Sequence, residues 1–167
     1  MKHKDELIHE LVGIVTAADG HEDCLFLPHW TDSTWKSLLA EAQAMELANG
    51  EILLRRDEVS NDLYFLVEGE LGVSIPHVDG VTLTSQVTRY PGSIVGEIAF
   101  LDGGFRTASV WSRGRSVLLR VPESAFDAFV ESEPRLACDV LRAIGRIVAE
   151  RLRRSIGASP RDPVRAG

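Results

Sequence analysis

Apolar residues recur at helical spacing near the start of the chain. Residues 4–17 predict an amphipathic helix, and its apolar face consists of Leu7, Leu11, Ile14 and Val15. Residues 27–47 keep this spacing and predict a second helix, for which the candidate capping residues are Thr31, Asp32 and Ser33. Its predicted inward face consists of Trp35, Leu38, Leu39 and Ala42. Residues 1–46 are therefore predicted to be helical.

From Asn49-Gly50 onward, the spacing of apolar residues changes from helical to alternating, which predicts strands. The strand-like runs are residues 51–58, 62–75, 81–90, 92–100, 107–112 and 116–121. Each run is bounded by glycine, proline, asparagine or aspartate, and Asp79-Gly80 predicts a tight hairpin turn. Several short strands separated by such turns are typical of a sandwich, a barrel or a jelly roll.

The helical spacing returns after Pro122. A short helix is predicted between Pro122 and Pro134, followed by a longer one to Ser155. The apolar stripe of the longer helix consists of Leu136, Val140, Leu141, Ile144, Ile147, Val148 and Leu152. The predicted fold is α+β and mainly β, a single domain in which an antiparallel jelly roll (double-stranded β-helix, residues 47–122) lies between helices at 1–46 and 123–155. The tail, residues 156–167, is predicted to be disordered.

Composition narrows the possible functions. The chain has 167 residues and a net charge of −7, which opposes binding to nucleic acid and to anionic membranes. The N-terminus mixes charges among its apolar residues and therefore predicts neither a signal peptide nor a membrane span. Cys24 and Cys138 lie far apart and form no Cys-x-x-Cys pair, so we expect no disulfide framework, no zinc site and a cytoplasmic location.

The sequence also argues against catalysis. A metal enzyme of the cupin type needs two or three clustered histidines, but only His77 of the five histidines falls in the predicted roll. Neither a Ser-His-Asp nor a Cys-His motif is present. We therefore expect no catalytic residue, no metal and no cofactor.

The segment VGEIAFLDGGFRTASV, residues 95–110, places Glu97 and Arg106 on either side of a glycine turn at the end of a predicted strand. One interpretation is a salt bridge at the rim of the roll, which would contribute little. The other is a ribose-phosphate pocket. A helical turn starting at Gly96 would present backbone N–H groups to an anion, the Arg106 guanidinium would bind a phosphate, and Glu97 would accept a hydrogen bond from a ribose hydroxyl.

The helix–roll–helix order and residues 95–110 resemble the cyclic nucleotide-binding domain and its phosphate-binding cassette. That motif runs Gly-Glu-(Ile/Leu)-Ala, a short turn, then Pro-Arg-(Ala/Thr/Ser)-Ala-(Thr/Ser)-Val. The resemblance covers roughly residues 25–155 and includes the glycines of EGELGV and YPGSIVGE. It implies a receptor for cyclic AMP or cyclic GMP that signals through its flanking helices.

The resemblance implies a ligand-binding set of Gly96, Glu97, Ile98, Ala99, Arg106, Thr107 and Ala108. In this set Glu97 would bind the ribose 2′-hydroxyl, Arg106 would bind the cyclic phosphate, and Gly96 would allow close backbone approach. Backbone amides around the other four residues would complete the phosphate cradle.

Two positions leave alternatives open. Phe105 replaces the usual proline, so the cassette could be looser or gain an apolar wall. Thr107 is either a contact to a guanine amino group or a strand residue of high β-propensity. A fold that has lost its ligand and serves as a protein-interaction module is therefore the alternative function.

The resemblance implies that the last helix closes over the base or forms a homodimer seam or a partner contact, and the alternative is that it simply packs on the roll. Arg142 and Arg146 either reach the base or are solvated, and the basic end at Arg151, Arg153 and Arg154 is interpreted as favourable charge at a helix C-terminus. A transcription factor of the catabolite-activator type would need a winged helix-turn-helix. About a dozen residues follow Ser155, so we expect no DNA binding.

Overall fold

The computed structural model describes residues 2–18, 23–75 and 85–156. The helices are α1 (Lys4–Ala17), α2 (Asp32–Leu38), α3 (Glu97–Asp102), α4 (Glu123–Ser132) and α5 (Pro134–Ser155). The strands are β1 (Gln43–Leu47), β2 (Ile52–Leu54), β3 (Leu63–Glu68), β4 (Leu71–Ile75), β5 (Ser85–Arg89), β6 (Ile94–Val95), β7 (Ser109–Ser112) and β8 (Ser116–Val121). The predicted Asp79-Gly80 turn, His77 and the predicted tail from residue 157 lie outside the described residues.

The strands form two four-stranded antiparallel sheets, which confirms the predicted roll. One sheet has the order β1-β8-β3-β6, and the other has the order β2-β7-β4-β5. The inner faces of the two sheets enclose a common apolar cluster, formed by Leu47, Leu54, Tyr64, Leu66, Leu71, Val73, Val95, Val110 and Leu118. The mainly β architecture with flanking helices agrees with the predicted fold class.

The N-terminal helices agree with the sequence only in part. Helix α1 has the predicted bounds, and Thr31 caps α2 by accepting a hydrogen bond from the Thr34 N–H at 3.3 Å. The prediction of a helix up to Leu47 is wrong, because α2 ends at Leu38 and Gln43–Leu47 forms β1. Strand β1 pairs with β8 along its whole length, so tertiary hydrogen bonding overrides the local helical spacing.

A second, larger apolar cluster joins α1, α2, α4 and α5 to the outer face of β3 and β8. Helix α5 contributes five buried residues to one face, namely Ala137, Val140, Ala143, Ile144 and Ile147. The predicted stripe was too broad, since Leu141 and Leu152 are 39% and 59% exposed. Helix α5 therefore has a buried face and a separate exposed apolar face. None of the helices in the described residues is long and apolar enough to cross a membrane.

Candidate nucleotide-binding site

The cassette begins where β6 ends and Gly96 turns the chain into α3. Gly96 has φ = +85°, a left-handed conformation that favours glycine. A Cβ atom built on Gly96 would lie 2.6 Å from Arg106 Nη1 and 2.9 Å from the Asp62 carbonyl oxygen. Glycine is therefore required here by both the backbone angle and the close approach of Arg106.

Arg106 is held in place by its backbone and its side chain. Its N–H donates to the Glu58 carbonyl at 2.9 Å, and its own carbonyl accepts from the Asp57 N–H at 2.8 Å. Its guanidinium donates through Nε to Ser60 Oγ at 2.8 Å, through Nη1 to the Gly96 carbonyl at 2.8 Å and through Nη2 to the Asp62 carbonyl at 2.9 Å. The guanidinium is thus fixed by three neutral groups.

The charge of Arg106 has no direct counter-ion among residues 2–18, 23–75 and 85–156. The side chain is buried, with 2% of the residue exposed, and burial lowers the pKa of Arg106 below its ordinary value. The neighbouring carboxylate of Asp62 accepts instead from Arg120 Nε, at 2.6 Å, and from the Glu123 N–H, at 3.1 Å. The three bonds use one N–H on each nitrogen, so two of the five N–H groups of Arg106 remain.

Glu97 is buried at the start of α3, but its ion pair is not with Arg106. Glu97 Oε1 lies 2.7 Å from Nη1 of Arg151 on α5. The interpretation of the cassette as a Glu97–Arg106 salt bridge is therefore wrong for the described residues. Arg151 also donates through Nε to Asp23 Oδ1 at 2.8 Å and through Nη2 to the Ile94 carbonyl at 2.9 Å.

Arg151 is a half-buried structural contact and not only a charge at a helix end, as its position in the sequence suggested. Burial by itself lowers the pKa of Arg151, but the carboxylates of Glu97 and Asp23 outweigh burial and raise it above its ordinary value. Arg89 Nη1 lies 3.1 Å from Asp23 Oδ2. Burial, together with the nearby charge of Arg151, lowers the pKa of Arg89 to about 10.

Sequence reasoning missed Asp23 and Arg89 completely. Asp23 and Arg89 are separated by 66 residues, and Asp23 and Arg151 by 128, so both contacts arise from tertiary packing and not from a local motif. One signal for Arg151 was present in the sequence. It follows Ile144 and Ile147 at the spacing of the buried face of α5.

Phe105 occupies an extended position between the glycine turn and Arg106. It forms an antiparallel bridge with Val59, and the backbone bonds beside this bridge use the N–H and C=O of Arg106. Its side chain is 63% exposed. The preceding turn is closed by Gly103, with φ = +68°, and by a hydrogen bond from the Gly104 N–H to Asp102 Oδ1 at 2.8 Å.

The remaining predicted site residues lie at the two ends of the cassette. Ile98 is half-buried and Ala99 buried in the first turn of α3, where the Phe100 N–H makes the first helical bond, to the Gly96 carbonyl. Thr107 is exposed and Ala108 half-buried between Arg106 and β7. The N–H groups of residues 97–99 precede the first helical bond and are the ones that a helix start leaves for other acceptors.

The cyclic nucleotide-binding domain family matches residues 44–133, more than half of the chain. The chain belongs to this family. The match includes Arg89 and the whole cassette, but it excludes Asp23 and Arg151. The interpretation of residues 95–110 as a cassette of this family is thereby supported, whereas the ion pair at Glu97 depends on residues beyond the match.

Solved structures with the same fold include a cyclic nucleotide-binding domain from Methylobacillus flagellatus KT. It has a TM-score of 0.76 and 20% identity, covering 96% of this chain and 88% of that one. The regulatory domain of Toxoplasma gondii PKA, crystallised with cAMP, has a TM-score of 0.63 and 13% identity, covering 90% of this chain and 50% of that one.

A curated relative is the neuropathy target esterase sws of Drosophila willistoni, which is 24% identical over 132 residues. The aligned region is 75% of this chain but only 9% of the esterase. The likeness therefore concerns a small part of that protein.

Two cavities lie away from the cassette, between residues 25–30 and the helices. The first cavity has a volume of about 190 Å³ and is lined by residues of α1 together with Leu25, Trp30 and Trp35. The second has a volume of about 310 Å³, and its lining includes Trp30, Arg142 and Arg146. Arg146 donates to the Cys24 carbonyl at 3.1 Å and lies over the Phe26 ring. Arg142 and Arg146, for which contact with the nucleotide base was one of two predictions, therefore face residues 24–30. In the described parts of the chain, no cluster of three or more potential metal ligands occurs.

Proposed function

We propose that this chain is a receptor for a cyclic nucleotide, cAMP or cGMP, which binds in the β-roll and acts on the flanking helices. The observation that carries the proposal is the buried guanidinium of Arg106, held by three neutral groups at 2.8–2.9 Å. A buried charge without a counter-ion is unfavourable, and an incoming anion would neutralise it. Membership of the cyclic nucleotide-binding domain family makes a cyclic phosphate the anion of choice.

The proposed roles follow from the chemistry of each group. The two remaining N–H groups of Arg106 would bind the cyclic phosphate, and Glu97 would accept from the ribose 2′-hydroxyl. The amides of Ile98, Ala99, Thr107 and Ala108 would complete the cradle around the phosphate. Gly96 would keep the backbone close to Arg106, as its contact with Nη1 already requires.

The proposed activity is regulatory and not catalytic. A bound nucleotide can shift the helices only as far as it prefers one of their positions. The output would be a partner contact or a homodimer through α5, and Thr107, exposed at the end of the cassette, leaves both bases open. We also propose a cytoplasmic location, since Cys24 and Cys138 are both free thiols.

Isothermal titration calorimetry with cAMP and cGMP tests the proposal. We expect saturable heat with at least one nucleotide and a rise in the unfolding temperature at saturating ligand. The linear nucleotide 5′-AMP is the control for non-specific nucleotide binding. Absence of heat and of a thermal shift with both cyclic nucleotides at about millimolar concentration, far above a useful affinity, would overturn the proposal.

Two substitutions test the residue roles. Arg106→Ala should cost about 2–5 kcal/mol of binding free energy, as expected when a buried charged partner of a phosphate is lost. Glu97→Gln should cost less and should reduce the preference for the ribonucleotide over its 2′-deoxy analogue. The exposed Arg115→Ala, which breaks surface contacts to Glu46 and Glu68, is the matched control and should bind as the wild type does. Equal affinity of all four proteins would refute the roles.

One observation favours the alternative of a ligand-free interaction module. Every nitrogen of Arg106 and one oxygen of Glu97 already have partners within the chain. Under this alternative these contacts would be structural only. The same titration separates the two functions, because an interaction module would give no nucleotide-dependent heat.

A further inference from the structure

Arg151 connects α5 to the cassette through a single side chain. Its three nitrogens contact three different parts of the chain, namely Asp23, the carbonyl of Ile94 on β6 and Glu97 on α3. Only 13% of its side chain is exposed. A rigid planar guanidinium with three partners fixes the position of each of them.

The contact leaves part of the Glu97 carboxylate available. Arg151 lies 2.7 Å from Oε1. An ionised carboxylate accepts hydrogen bonds through both of its oxygens. Glu97 can therefore accept from a hydroxyl through Oε2 while the ion pair with Arg151 remains in place. The ion pair also restricts the rotation of the carboxylate, because a charge-assisted contact has a preferred geometry.

We propose that Arg151 is a positioning residue that orients Glu97 toward the ribose 2′-hydroxyl and so couples recognition of the sugar to the last turns of α5. This inference rests on the proposed function. Asp23 and Arg151 lie outside the residues matched by the family, so the coupling is supplied by the flanking segments of this chain. Asp23, which also contacts Arg89 at 3.1 Å, holds Arg151 from the opposite side.

Affinities for the ribonucleotide and for its 2′-deoxy analogue distinguish positioning from a merely structural role. The readout is the dissociation constant of the 2′-deoxy analogue divided by that of the ribonucleotide. Both constants are measured by calorimetry with whichever of cAMP and cGMP the wild type binds. We expect Arg151→Gln to reduce this ratio at least about fivefold, the lower range of measured couplings between sites. Glu97→Gln should reduce it to a similar extent, and the double variant should reduce it no further.

The matched control is Arg146→Gln, which removes an arginine of the same helix whose contacts include Glu150, the Cys24 carbonyl and the Phe26 ring. Its ratio should remain that of the wild type. A structural role for Arg151 would weaken both nucleotides equally and leave the ratio unchanged. If Arg151→Gln does not fold, Arg151→Lys replaces it. Lysine keeps the positive charge but lacks the planar guanidinium, and its effect is measured by the same ratio.

The two proposals fail in different ways. If the wild type binds neither cAMP nor cGMP, the receptor function is wrong and the sugar role of Arg151 falls with it. If the wild type prefers the ribonucleotide and Glu97→Gln loses that preference while the Arg151 variant keeps it, only the positioning role is overturned. A fall of the ratio in both variants, with no additive effect, supports the coupling.

Discussion

Arg106 and Gly96 fit together at the level of single atoms. The Gly96 carbonyl accepts from Arg106 Nη1 at 2.8 Å, and the same nitrogen would lie 2.6 Å from any Cβ at position 96. Because the hydrogen bond and the steric contact involve the same atom, a side chain here would displace the guanidinium that we propose to bind phosphate. Glycine at position 96 therefore sets the geometry of the site directly.

Gly96→Ala should lower the free energy of unfolding by about 1–3 kcal/mol, the usual cost of a residue forced into a sparsely populated conformation. It should also weaken any nucleotide binding, because Arg106 has to move away from the new Cβ. Urea denaturation and calorimetry measure the two effects.

Gly103→Ala is the control, since Gly103 also has a positive φ of 68°, but a Cβ atom built on it would meet no other atom within 4 Å. Gly103→Ala should lower the free energy of unfolding through backbone strain alone and should bind nucleotide as the wild type does. Equal effects of both substitutions on binding would show that the Gly96–Arg106 contact is unimportant.

Glu97 and Arg106 could be identified from the sequence as candidate site residues because they lie nine positions apart in one local motif. The partners that determine the electrostatics could not be selected in this way. Asp23, Arg89 and Arg151 come together only after the roll has closed and α5 has packed on it. Phe105, the residue that departs from the motif, is exposed and forms a backbone bridge with Val59, a contact that the local motif does not encode.

At the scale of elements, the sequence predicted the bounds of α1 and β8 well because their spacing is regular. The predicted strand-like run 92–100 was wrong beyond Val95, because only Ile94–Val95 forms β6 and α3 begins at Glu97. The sequence also failed at β1, where Ala42 and its neighbours continue a helical pattern but the chain pairs with β8. It also merged the two apolar faces of α5 into one. The errors at β1 and α5 concern surfaces whose burial depends on distant partners, which a local pattern does not encode.

The attachment of α5 should depend on pH through Asp23. Burial alone raises the pKa of Asp23, but Arg151 and Arg89 outweigh it and hold the pKa below its ordinary value. A carboxylate with a lowered folded-state pKa stabilises the fold above its unfolded-state pKa, and this contribution is lost as the pH falls through the folded-state pKa. Acid should therefore loosen the contact between α5 and the roll.

Asp23→Asn should reduce the free energy of unfolding at neutral pH by about 1–3 kcal/mol, as for the loss of hydrogen bonds to charged groups. The difference from the wild type should be constant above about pH 5 and should shrink as the pH falls below about 4, the ordinary pKa of aspartate, toward the lowered folded-state pKa of Asp23. Denaturant titrations at several pH values measure this difference. Glu46→Gln, which removes an exposed partner of Arg115, should have a small effect. A constant difference between Asp23→Asn and the wild type at all pH values would contradict the assignment.

For the whole molecule, charge is distributed unevenly. The chain carries a net charge of −7, yet the region of the cassette combines Arg89, Arg106, Arg151 and Arg154 with the carboxylates of Asp23 and Glu97. Asp62 and Glu58 also lie near Arg106, so arginines and carboxylates are mixed where the nucleotide is proposed to bind. A chain with a negative net charge and a buried arginine in the cassette favours a small anion over a polyanion such as DNA.

The exposed face of α5 offers a route for transmitting that binding. Exposed Cys138, Leu141, Gly145 and Leu152, together with Val148, which is half-buried against the core, follow one another at intervals of three or four residues, the spacing of a helix-pairing seam. A Cβ at Gly145 would meet no atom within 4 Å, so a second helix has room to approach there. The seam and Arg151 belong to the same helix, so a movement of α5 would displace both the seam and the contact of Arg151 with Glu97.

We expect the chain to form a homodimer through this seam, with a mass twice that of the 18.4 kDa chain in sedimentation equilibrium. Leu152→Glu should shift the equilibrium toward the monomer, because it places a charge within the apolar contact at its C-terminal end. Val130→Glu makes the same change at an exposed apolar residue of α4 and should leave the mass unchanged. A monomeric wild type at high protein concentration, or equal dissociation of both variants, would exclude the seam as the dimer contact and leave α5 to act through a different protein.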